Sequence, residues 1–300
     1  MKSSYCGRFA PSPTGPLHHG SLVAALASWL DARAHFGKWL IRIEDIDPPR
    51  QRPGIAAEQI DVLRQLGMTS DEPVLYQSTR SAAYDVAMHQ LCQIQRTFVC
   101  SCSRAQLALS DKTSSLRYPG TCRQRGLSGK GAIRFRVDDG TIGFRDRACG
   151  YFAQNVEECV GDFVIRRADG LWAYQLAVVV DDAFQHVTHV VRGADLLDNT
   201  PRQIALQQAL GLPTPRYLHV PLVLDACGRK LSKQTQAPAI DPRNALAELE
   251  LAWQHLGFSP TGASSVRAFQ QQALTRWRDQ WCVAAAPRSI DAPPKSQASA

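Results

Sequence analysis

The first 44 residues constrain the fold more than any other stretch of the chain. Residues 5 to 9 read as a short strand, and Ala10-Pro-Ser-Pro-Thr-Gly-Pro as a loop punctuated by proline and glycine. From His19 to about Phe36 the apolar spacing is helical, with Leu22, Ala25, Leu26, Trp29 and Leu30 on one stripe. Gly37 is read as the residue that stops this helix. Lys38 to Glu44 then reads as a second strand. Strand, helix and strand within this compass make a parallel βαβ unit, which predicts an α/β fold with a Rossmann-like parallel sheet. Ligands of such sheets bind at the carboxyl ends of the strands, where the loop over residues 10–20 and Glu44 would both lie.

Two motifs point to phosphate chemistry. His18-His19-Gly20 stands where the first helix begins, and free backbone N–H groups there favour an anion. Imidazole donors can reach phosphate oxygens, and Gly20 lets a flat base approach the backbone. Far along the chain, Lys230-Leu-Ser-Lys233 follows an apolar strand and a turn at Asp225-Ala-Cys-Gly228. Taken alone, each segment is weak: surface histidines or a solvated charge run would give the same letters. Together they supply the positive charge and positioning that phosphoryl and nucleotidyl transfer need. Arg8, Glu44, Tyr174 and Arg192 fall near predicted strand ends. Two cations and one carboxylate there would suit an acidic amino acid.

The rest of the chain divides by texture. Residues 1–97 are read as the first half of the catalytic domain and 98–150 as an insertion. Residues 151–240 form the second half with the lysine loop, 241–285 a short helical region, and 286–300 a disordered tail rich in Pro, Ser and Ala. Helices are predicted near 54–66, 79–96, 201–210, 242–256 and 264–282. Asp162 to Arg166, Ala177 to Val180, His189 to Arg192 and Leu218 to Leu224 are read as returning strands of the parallel sheet. Within the insertion, Cys100-Ser-Cys102, Tyr118 and Cys122 look like a metal knuckle. Three thiolates bind zinc well, but a fourth donor is wanted, and reduced structural cysteines remain the competing account.

Composition excludes some classes. The net charge of +7 favours a polyanionic partner, although 34 Lys+Arg against 27 Asp+Glu is a modest excess. No stretch approaches the roughly 20 apolar residues of a membrane span. The N-terminus runs into the first strand without an apolar leader. Most of the nine cysteines are scattered singly, which suits reduced thiols in the cytoplasm. A cytoplasmic monomer is expected.

These residues resemble the catalytic half of a class I aminoacyl-tRNA synthetase of the glutamyl type. Phe9 to Gly20 is similar to that group's HIGH region, Ile43-Glu-Asp-Ile-Asp47 to its Glu-Asp-x-Asp segment, and Lys230 to Gln234 to its KMSKS loop, with Gln234 in place of the final serine. Asp169 to Ala177 and Val191 to Gln203 also match. The resemblance implies glutamate contacts from Arg8, Phe9, Ala10, Pro11, Ser12, Glu44, Tyr174 and Arg192. It implies ATP contacts from His18, His19 and Lys233, with Gly20 and Lys230 completing the catalytic signatures and Mg²⁺ accompanying ATP. Ordinary glutamyl-tRNA synthetases continue into a large anticodon-reading region, whereas the segment after this lysine loop is too short for a domain of typical size. The Cys-x-Cys and Tyr-x₃-Cys arrangement resembles a truncated branch, the glutamyl-Q tRNA(Asp) synthetases. That likeness implies one structural Zn²⁺ on Cys100, Cys102, Tyr118 and Cys122. It also implies activation of L-glutamate without tRNA and its transfer to queuosine at the wobble position of tRNA(Asp). Three other readings stay open: an ordinary synthetase charging a 3′ end, a small-molecule nucleotidyltransferase, and a non-enzymatic RNA-binding paralogue.

Overall fold

The computed structural model describes residues 5–103, 105–107, 117–223 and 238–282. Lys230, Lys233 and the tail at 286–300 lie outside the described residues.

The opening βαβ unit forms as its spacing predicts. Strand β1 (Cys6–Phe9) and β2 (Lys38–Ile43) pair in parallel, joined by helix α1 (His19–Ala34). Both strands are buried almost throughout, as parallel strands covered on both faces must be. Helix α1 is buried well beyond the predicted stripe, at Val23, Ala27, Ser28, Asp31, Ala32 and Ala34 too. The sequence pattern shows one apolar face; the structure covers the other. The apolar side lies on the sheet, while C-terminal helices α7 (Ala245–His255) and α8 (Val266–Trp281) pack over the rest.

Asp31 fastens these layers together. Its carboxylate accepts from Tyr5 Oη at 2.6 Å, Arg147 at 2.6 and 2.8 Å, and Trp277 Nε1 at 3.0 Å. Gly37 does not supply the left-handed residue that ends α1. That conformation falls to exposed Phe36, at φ 54°. Gly37 is needed for close approach, because a Cβ there would stand 2.4 Å from the Tyr5 carbonyl oxygen.

After β2 come α2 (Ile55–Gln65), β3 (Leu75–Tyr76) and α3 (Ser81–Gln93). Strands β4 (Thr97–Cys100), β5 (Ala132–Phe135), β6 (Thr141–Asp146) and β7 (Gly150–Asn155) precede a short helix α4 (Val156–Cys159). The chain continues through β8 (Phe163–Arg166), α5 (Tyr174–Phe184), β9 (His189–Gly193), α6 (Thr200–Leu210) and β10 (Arg216–Val220). The large sheet has the order β3-β2-β1-β9-β10-β6-β7, and every neighbouring pair is parallel except the β6–β7 hairpin. A separate antiparallel sheet has the order β4-β5-β8.

Two strand readings are corrected. Residues 162–166 contain a strand, but β8 pairs antiparallel with β5 in the small sheet, not with the parallel core. Ala177 to Val180 is helix, the middle of α5. A run of buried β-branched residues reads alike in a central strand and in a helix packed on both sides; here Leu176 to Val179 are all buried. The β6–β7 hairpin, drawn mostly from the segment 98–150, hydrogen-bonds to the large sheet through β10.

Candidate active site

The carboxyl ends of β1, β2 and β9 and the start of α5 surround a cavity of about 560 Å³. The loop after β1 forms one wall and is pinned by backbone bonds. Glu44 N–H donates to Pro11 O at 3.0 Å, Arg52 N–H to Pro13 O at 3.2 Å, and the buried Gln59 amide to Gly15 O at 2.7 Å. Arg8, Phe9, Ala10, Ser12, Glu44, Tyr174 and Arg192 all line this cavity. Pro11 is buried behind it and acts through its carbonyl.

The charges are held by partners the sequence did not single out. Asp182, on α5, accepts from Arg8 Nε at 3.0 Å and from Arg42 at 2.7 Å. A second, longer bond runs from Arg8 Nη2 to Asp182 Oδ2 at 3.5 Å. Arg42 is wholly buried, with one terminal nitrogen lacking a hydrogen-bond partner at 3.7 Å from Glu44. Burial pushes the Glu44 carboxyl up to about 7, against the pull of Arg42 and Arg8 and helped by Asp182 and Asp181. A cationic group entering the cavity beside Glu44 would reverse that shift. Asp181 is likewise buried and accepts from Gln77, Arg80 and Tyr84. The signal for this aspartate pair was present: carboxylates at the end of a buried apolar run must find partners.

Arg192 donates Nε–H to His219 Nε2 at 3.1 Å, and its terminal nitrogens to Thr200 Oγ1 at 2.8 Å and Gln203 Oε1 at 2.9 Å. Longer bonds reach Leu196 O at 3.3 Å and Tyr174 Oη at 3.4 Å.

The two histidines take different places. His18 caps α1, its Nδ1 accepting from the Ser21 backbone N–H at 3.3 Å. His19 and Gly20 form the first turn. Burial, reinforced by nearby His255, lowers the pKa of His19, so its ring favours the neutral form. Its Nδ1 is buried without a hydrogen-bond partner among the described residues. None of the three lines the cavity.

Cys100, Cys102 and Cys122 place their sulfurs within 4.8 Å of one another. Cys102 and Cys122 are 3.5 Å apart, and Tyr118 Oη lies 3.5 Å from Cys100 and accepts the Cys122 N–H at 2.8 Å. Thiolates about 2.3 Å from a tetrahedral zinc stand about 3.8 Å from each other, so the donor set fits a metal ion.

Residues 6–248 match the family described as tRNA synthetases class I (E and Q), catalytic domain. A Burkholderia mallei protein named glutamyl-Q tRNA(Asp) synthetase is 56% identical over 285 residues, covering 91% of this chain and 96% of that protein. One of the same name from Cupriavidus metallidurans is 53% identical, covering 93% of each. Among solved structures, a glutamate tRNA ligase from Elizabethkingia meningosepticum in complex with its amino acid aligns with a TM-score of 0.75 at 24% identity. That alignment covers 91% of this chain and 64% of the ligase, so the present chain spans less than two thirds of the ligase's length.

Proposed function

Since the chain belongs to the class I tRNA synthetases of the E and Q type, we propose that it activates L-glutamate with ATP, without tRNA, and transfers the glutamate to queuosine in the wobble position of tRNA(Asp). The observation that carries the reading is the grouping of Arg8, Glu44 and Arg192 around one cavity, cations for two carboxylates and an anion for an ammonium. The name shared by relatives at over half identity supports the acceptor.

In the first step the glutamate α-carboxylate attacks the α-phosphorus of ATP, and pyrophosphate leaves. In the second, a hydroxyl of the queuosine ring attacks the adenylate carbonyl, and AMP leaves. Neither step needs a protein nucleophile; the chain supplies proximity and charge. Ala10, Ser12 and Tyr174 shape the glutamate end of the cavity. His18, His19 and Gly20 receive ATP at the start of α1, and Lys230 and Lys233 hold its phosphates. Mg²⁺ accompanying ATP would neutralise phosphate charge, and Cys100, Cys102, Tyr118 and Cys122 would hold a structural Zn²⁺. In this reading the small sheet serves the acceptor, the two C-terminal helices brace α1, and the protein acts as a cytoplasmic monomer.

The test is transfer of labelled glutamate to tRNA(Asp) with and without queuosine, beside tRNA(Glu), followed by nuclease digestion to locate the labelled fragment. Label confined to queuosine-bearing tRNA(Asp) and recovered in its anticodon fragment is expected. Charging of tRNA(Glu) would replace the proposal with an ordinary synthetase.

A further inference from the structure

Arg192 is anchored from behind the cavity. Tyr174 and Leu196, which accept its two longest bonds, line the cavity; His219, Gln203 and Thr200, which accept the three shorter ones, do not. A carboxylate entering the cavity would therefore exchange with the weak contacts and leave the anchor intact. Within the anchor, the His219 bond sets a chemical condition. Arginine has no acceptor, so His219 Nε2 must present a lone pair, and the single ring proton must sit on Nδ1. That atom faces Asp146 Oδ2 at 2.7 Å. Asp146 is itself fixed without the imidazole's help: its carboxylate accepts from the backbone N–H groups of Ala148, Cys149 and His219. His219 and Asp146 are both buried, so no water stands ready to replace either partner.

We propose that His219 is a positioning residue for Arg192, with Asp146 imposing the neutral Nδ1–H tautomer that leaves Nε2 free to hold the guanidinium against the substrate carboxylate. The role in substrate binding rests on the reading of this cavity as the glutamate site; the tautomer does not. The β6–β7 hairpin thus acts on the cavity through two intervening side chains without lining it. Groups facing the imidazole are Asp146 and Phe144 from β6, Arg192 from β9, Asp195 beyond it, Thr200 from α6 and Tyr217 on its own strand. Burial lowers the pKa of His219, Asp146 opposes that, and Arg192 reinforces it. The neutral form therefore persists to lower pH than in an exposed histidine.

Imidazole nitrogen NMR of the intact protein reads the tautomer directly. The Nδ1–H form is expected, and an Nε2–H form or an imidazolium at neutral pH would overturn the proposal. Glutamate-dependent pyrophosphate exchange then compares wild type with His219→Gln, which keeps an acceptor near the Nε2 position, and His219→Leu, which has none. His219→Leu should raise the glutamate KM roughly tenfold or more with the ATP KM unchanged, and His219→Gln should recover most of it. Equal behaviour of the two variants overturns the role. Should the leucine variant not fold, the pH profile decides. Glutamate KM should climb on acidification in wild type beyond the rise seen in His219→Gln; Glu44 titrates in both and cancels. Parallel profiles would refute the role. Wild type inactive with glutamate would sink the functional reading, and the tautomer would still decide the His219–Asp146 relation.

Discussion

Replacing Asp182 by Ala should be among the most damaging single changes near the cavity, and the structure supplies the size. The carboxylate neutralises two arginines at once, Arg8 at 3.0 Å and Arg42 at 2.7 Å, in a region where the Arg42 side chain has no exposure and the Asp182 side chain 8%. Without it, Arg42 keeps, among the described residues, Gln185 Oε1 at 2.9 Å and Glu44 at 3.7 Å. Removing one partner of a buried ion pair costs about 3–5 kcal/mol, chiefly because the other charge is stranded. At roughly 2–4 °C per kcal/mol for a protein of this size class, the melting temperature should fall on the order of 10 °C. The effect should also depend on pH in a defined direction. Burial works to raise the Asp182 pKa, yet Arg8 and Arg42 outweigh it and hold the carboxyl below its usual range. The folded pKa is thus depressed, so the stabilisation is complete above the unfolded value of about 3.9 and lost as pH falls through the folded value. Thermal melts of wild type and Asp182→Ala at pH 7 and across the acid range would show a wide gap that narrows only below about pH 4. A gap under about 1 kcal/mol at pH 7 would mean that the arginines find other partners, and the account of the charge cluster would fail.

Three further outcomes follow from the same geometry. Glu44, raised to about 7 by burial, contributes folding stability below the unfolded value of about 4.3, and that contribution is lost as pH rises through 7. Glu44→Gln should therefore flatten the pH dependence of the melting temperature between about pH 4 and 7 and raise the glutamate KM roughly 10–100-fold; a pH profile unchanged from wild type would refute the assignment. Asp31→Asn should cost about 3–5 kcal/mol in denaturant unfolding by stranding Arg147, with a loss below about 1 kcal/mol counting against Asp31 as the fastening between α1 and α8. Cys102→Ser should lower zinc stoichiometry by elemental analysis and reduce stability, whereas full zinc content would exclude Cys102 as a ligand.

The opening βαβ unit was legible because two short strand-like runs, helical spacing and a Pro/Gly loop all agree within 44 residues. The cavity residues Arg8, Glu44, Tyr174 and Arg192 could be named because they fall near predicted strand ends and match the family resemblance, which alone made the set persuasive. What supports them could not. Arg42 precedes Glu44 by two positions on β2 and reads as an ordinary polar interruption, yet it is fully buried. The signal at Asp181 and Asp182 was passed over because the Ala177 to Val180 run was read as a strand; strand geometry would have sent the two to opposite faces, whereas α5 places both among arginines. Gly37 was read for its backbone freedom when its missing side chain was the point. His219 carries no local signal, since its partners arrive from β6 and β9.

The turn between β6 and β7 has one more implication. Adjacent residues there carry opposite charges to different destinations: Asp146 holds His219 behind the cavity, and Arg147 reaches Asp31 at the junction of α1 and α8. Alternation along the chain sends them apart, so inserting or deleting one residue before Asp146 would present each charge to the other's partner. Loop tips commonly accept changes of length. Here, even though Ala148 and Cys149 contribute only backbone N–H groups to Asp146 and so tolerate many side chains, the spacing from Tyr217's pairing to the turn is fixed. Among homologous chains, this turn should vary in letters and hold its length.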